Sequence, residues 1–103
     1  MDNAEFQAWM KVTKFSEQGF VLDEVTRHNR GNLLFYKGGE DGVFIDVSKE
    51  GVVTVGNYEG ACPHIGEAMF QTVFSRKVAD TQDAAFRQVT EKLGVQFLLD
   101  LIR

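Results

Sequence analysis

The chain reads as an α+β domain: an N-terminal helix, a four-stranded antiparallel meander, and two to three C-terminal helices packed on one face. Three observations lead there. The runs V-F-I-D-V and V-V-T-V-G-N-Y flank the short glycine-containing connection S-K-E-G, which is the signature of a β-hairpin. Ahead of the hairpin, two more short apolar runs alternate with glycine- and asparagine-rich turns. Behind it, and again near the N-terminus, apolar residues recur at intervals of three and four, the spacing of one helix face.

Taken in order, residues 3–18 predict the first helix. Asp2 or Asn3 can cap it by accepting a hydrogen bond from a first-turn amide, and Gly19 can end it in the left-handed conformation. Gln7, Lys11, Lys14 and Gln18 form one polar stripe, while Phe6, Trp9, Met10, Val12 and Phe15 fill a wide apolar arc. One sheet face does not normally cover so wide an arc, so the helix is wedged between two elements or contributes to a subunit interface.

Phe20–Arg27 predicts a strand leaving the core towards solvent. His28 to Asn32 is turn chemistry, Leu33–Lys37 a strand apolar on both faces, and Gly38 to Gly42 a second turn. In the hairpin that follows, between Gly42 and Gly60, Val43, Ile45 and Val47 share one face and Phe44 and Asp46 the other. On the second run Val53 and Val55 oppose Val52, Thr54 and Tyr58. The hairpin locates a core and names no substrate.

After Gly60 the period changes. Ile65, Met69, Phe70, Val73, Phe74 and Val78 recur at helical spacing, and Pro63 suits the first turn of such a helix. Phe70, Thr72, Phe74, Arg76 and Val78 also alternate as a strand would, but helix is the preferred reading of this stretch. Asp80 or Thr81 caps a further helix whose buried stripe is Ala85, Phe86, Val89 and Leu93, ended by Gly94. The apolar tail Val95–Ile102 suits a short helix in preference to a strand, because leucine dominates it.

Composition narrows the function classes. A chain of 103 residues with 44% hydrophobic and 25% charged residues is one ordinary globular domain, residues 1–103, with no linker or internal repeat. Such a chain can bury roughly 65% of the surface its unfolded form exposes, enough for one core without a staple. A net charge of −4 argues against nonspecific nucleic-acid binding, which draws most of its affinity from basic surface. The single cysteine excludes an internal disulfide framework. The sequence shows neither a signal-peptide pattern nor an apolar run of membrane-spanning length, so the expectation is a soluble cytoplasmic protein.

The most chemically suggestive stretch is Y-E-G-A-C-P-H-I-G-E. Cys62 near a helix N-terminus, with His64 beside it, has the makings of an activated thiol. A lone cysteine between Ala and Pro is more often a small buried hydrophobe. The same residues resemble half a metal site, but Cys62-x-His64 has no matching second pair, so no metal and no cofactor is expected. Gly60 and Ala61 leave backbone amides open to an anion, though without the lysine of a phosphate loop. Asp46, mid-strand beside Phe44 and Thr54, could act as an acid or base if covered; the plainer reading places it on a partly solvated face.

Aromatic residues supply the remaining candidate. Trp9, Phe44 and Tyr58, with Phe35 and Tyr36, could line a pocket between helix and sheet for a small apolar or aromatic molecule, although aromatic residues serve a core as readily. The sequence therefore points first to a non-catalytic binding protein acting as a homodimer, with such a ligand or another protein as partner. The alternative is a small thiol-dependent enzyme or redox sensor centred on Cys62 and His64. A third reading is an acidic surface that docks a basic partner.

Overall fold

The computed structural model describes residues 12–23, 32–48, 50–60 and 69–101. Within them the order is α1 (Val12–Glu17), β1 (Val21–Leu22), β2 (Leu33–Lys37), β3 (Gly39–Val47), β4 (Val52–Gly60) and β5 (Met69–Lys77). A single 3-10 turn (Val78–Asp80), α2 (Ala84–Leu93) and α3 (Phe97–Leu101) follow. The strands form one antiparallel sheet in chain order β1-β2-β3-β4-β5. The α+β class and the meander are as the sequence predicts, with a fifth strand added.

That fifth strand is the principal correction. Residues 69–77, expected inside a helix that starts near Pro63 and carries Ile65 to Val78 at helical spacing, pair along the length of β4 instead. The remainder of that expected helix up to residue 68 lies outside the described residues, as do the N-terminal part of the first helix and the turn from His28 to Gly31.

The hairpin closes through Ser48 to Gly51. The amide of Ser48 donates to the Val52 carbonyl (2.9 Å), the amide of Gly51 to the Ser48 carbonyl (3.0 Å), and the amide of Val52 to Ser48 Oγ (3.0 Å). Gly51 takes φ +82° there, a conformation that glycine enters without penalty. The expected turn from Gly38 to Gly42 does carry the chain from β2 to β3, whose mutual pairing ends at Lys37 opposite Val43. The same residues also lengthen β3 along β4: Gly39 pairs with Gly60 and Gly42 with Tyr58, with one extra β3 residue between them.

Two helices end in the same way. Phe20 N–H bonds the Phe15 carbonyl and Gly19 N–H that of Ser16; Val95 N–H bonds the Thr90 carbonyl and Gly94 N–H that of Glu91. Gly19 and Gly94 take φ +86° and +75°. This is the Schellman arrangement, which satisfies the last free carbonyls and brings the residue beyond the glycine back onto the helix. The returning residue is Phe20, edge-on to Phe15 at 6.3 Å, and Val95, which is buried.

The main core lies between the helices and one sheet face. Leu33, Phe35, Ile45, Val47, Val53 and Val55 supply the sheet side, and Phe15, Phe20, Phe86, Val95 and Leu98 the other. Phe15 stacks on Phe35 (3.7 Å between centroids, 5° between planes), and Phe97 meets Phe15 edge-on at 5.5 Å. Full burial of each such side chain is worth about 1.5–3 kcal/mol.

The cap of α2 is Asp83, not Asp80 or Thr81. Asp83 Oδ1 accepts from the Phe86 amide (2.7 Å) and Oδ2 from Arg76 Nε of β5 (2.9 Å). Asp80 closes the 3-10 turn, and Thr81 is fully buried. The inner arc of α2 centres on Phe86 and Thr90, with Val89 and Leu93 partly buried, and Ala85, about 100° round the helix from Phe86, faces solvent instead of the core. Thr90 tolerates full burial because its hydroxyl donates to the Arg87 carbonyl (2.9 Å).

Candidate functional site

The sheet is apolar on both faces. Opposite the helix-covered core, Leu34, Phe44 and Tyr58 form a second buried cluster with Tyr36 packed against it. Period-two alternation sends Leu33 and Phe35 one way and Leu34 and Tyr36 the other, as the sequence of β2 requires.

Two aromatic rings of this cluster lie on glycines of the neighbouring strand. Phe44 is paired with Gly56, and Tyr58 with Gly42. A methyl group at Gly42 would sit 2.7 Å from Cζ of Tyr58, and one at Gly56 would sit 2.8 Å from Cε1 of Phe44. Each ring thus covers backbone that lacks a side chain of its own, a cross-strand arrangement that pins register.

The edge strand β5 borders this face. Tyr58 pairs with Phe70, Asn57 with Thr72 and Gly56 with Val73, so Gln71 is an extra residue on β5, a β-bulge. The bulge puts Phe70 and Val73 on the same face although they are three positions apart. Phe70 is 51% and Val73 54% exposed. Phe70 stands edge-on to Phe44, with centroids 5.4 Å apart and planes at 77°, and Phe44 lies 6.3 Å from Tyr58.

Between these side chains opens a shallow hollow of about 350 Å³, lined almost wholly by apolar surface from Phe44, Phe70 and Val73, with Asp46 and Thr54 at its margin. Asp46 is half-buried and accepts a long hydrogen bond from Asn32 Nδ2 (3.4 Å). Thr54, its cross-strand partner, shares a hydrogen bond with Ser75 Oγ (2.8 Å). A larger hollow of about 430 Å³ lies beside Arg76, Asp80 and Asp83. There the Arg76 guanidinium is committed to Asp83 and rests over the Phe74 ring at 4.1 Å. The Arg76 hydrogen bond, and after it the Phe86 amide, hold the Asp83 carboxyl below its ordinary pKa. That pair ties β5 to α2, and we read it as structural.

Of the residues the sequence nominates, Phe44, Tyr58 and Asp46 come together on this one face, opposite the described helices. Trp9, Cys62 and His64 lie outside the described residues. Among the described residues no group of three or more His, Cys, Asp or Glu side chains could hold a metal, and no helix is long and apolar enough to cross a membrane. Phe70 and Val73 are not legible as neighbours in the sequence: the alternation of Phe70, Thr72, Phe74, Arg76 and Val78 would put Val73 on the face opposite Phe70, and the bulge at Gln71 brings the two together. No family model, curated protein or solved structure matches the chain.

Proposed function

We propose that this is a non-catalytic binding protein that self-associates as a homodimer, with the hollow of Phe44, Phe70 and Val73 at the centre of the contact. The observation that carries the reading is the pair of half-exposed apolar side chains, Phe70 and Val73, side by side on an edge strand. Val21 on β1, 55% exposed, lies at the far edge of the sheet from this pair. Two half-exposed side chains supply a fraction of the roughly 800 Å² per partner that a stable interface buries. The contact therefore extends over the polar surroundings, Thr54 and Ser75 among them, with the hollow as its dry centre.

Native mass spectrometry of the wild type and of a Phe70→Ser/Val73→Ser double variant tests this. The expected result is a species of twice 11.6 kDa for the wild type and a monomer for the variant. A bare wild-type monomer at micromolar concentration overturns the proposal. A dimer that survives both substitutions removes the hollow from the contact. A monomer carrying a discrete extra mass, lost in the variant, reassigns the hollow to a small apolar or aromatic molecule.

A further inference from the structure

We draw no further inference here: the strongest candidate, the apolar hollow between Phe44, Phe70 and Val73 on the β5 side of the sheet, belongs to the site already described, and nothing in the structure shows what covers it.

Discussion

Gly56→Ala is the substitution with the largest consequence for its size. Gly56 sits between two paired neighbours, Phe44 on β3 and Val73 on β5. A methyl group there falls against the Thr72 carbonyl oxygen and lies 2.8 and 3.0 Å from Cε1 and Cζ of Phe44. The carbonyl is backbone held in a paired strand, and Phe44 is buried, so neither can swing aside cheaply. Overpacking of this kind costs about 1–3 kcal/mol, and the involvement of backbone puts Gly56→Ala near the upper end. The lower entropy of the unfolded alanine chain offsets about 0.4–1 kcal/mol of that.

The net loss expected is thus about 2 kcal/mol, a sizeable part of the 5–15 kcal/mol that holds a typical domain folded. For a domain of this size each kcal/mol moves Tm by about 4–8 °C, so the expected drop is about 8–16 °C. Thermal unfolding followed by circular dichroism, together with urea titration, measures it. The contacts press on the bulge that presents Phe70 and Val73, so self-association should weaken with stability. An unchanged or raised Tm with a wild-type urea slope would show that β4 and β5 are not in close contact at Gly56, and would refute the reasoning.

Other substitutions separate the remaining forces. Gly94→Ala meets no atom within 4 Å but must adopt φ +75°; it should cost about 1–2 kcal/mol in urea titration, and Gly94→Asn, which tolerates that conformation, should cost less. Phe15→Ala removes a fully buried ring stacked on Phe35 and should lose about 3–5 kcal/mol, read as a lower urea midpoint. Phe70→Ser and Val73→Ser, both at half-exposed positions, should abolish the dimer in native mass spectrometry, and Phe70→Ser also gives up the edge-on contact with Phe44, worth about 0.5–1.5 kcal/mol of monomer stability. Because Asp83 has a folded pKa below its unfolded value of 3.8, its contribution is fully present above that value and lost as pH falls through the folded one. The stability difference between wild type and Asp83→Asn, which keeps a capping side chain, should therefore shrink in urea titrations taken below that pH.

Much of the fold could be read before the structure because its determinants are local. Gly19, Gly51 and Gly94 mark their turns through a backbone freedom that no other residue shares. Strand β2 shows its two-sided burial in the run L-L-F-Y, and the hairpin shows its inner face in Ile45, Val47, Val53 and Val55. What the helix pattern leaves open is settled by contacts outside it. Asp80, Thr81 and Asp83 are all competent helix caps, and Asp83 takes the role with one carboxylate oxygen on the Phe86 amide and the other on Arg76 of β5.

Strand β5 imitates a helix in its sequence for a reason that bears directly on the site. A regular strand apolar on one face shows alternation, but the extra residue Gln71 sets Phe70 and Val73 three apart on one face. Phe74 then points to the other face, where it packs 6.1 Å from Phe86 of α2. Apolar residues at 70, 73 and 74 reproduce the three-and-four spacing of a helix, although they serve two faces of a sheet. The information that resolves the ambiguity is on β4, where Gly56 leaves room for the Thr72 carbonyl that the bulge pushes towards it. One irregularity therefore hides the strand from its own periodicity and lines up two exposed apolar side chains along one rim of the hollow. The bulge is also a device that discourages edge-to-edge pairing, so the proposed contact uses the face of β5 that carries Phe70 and Val73 and not its backbone edge.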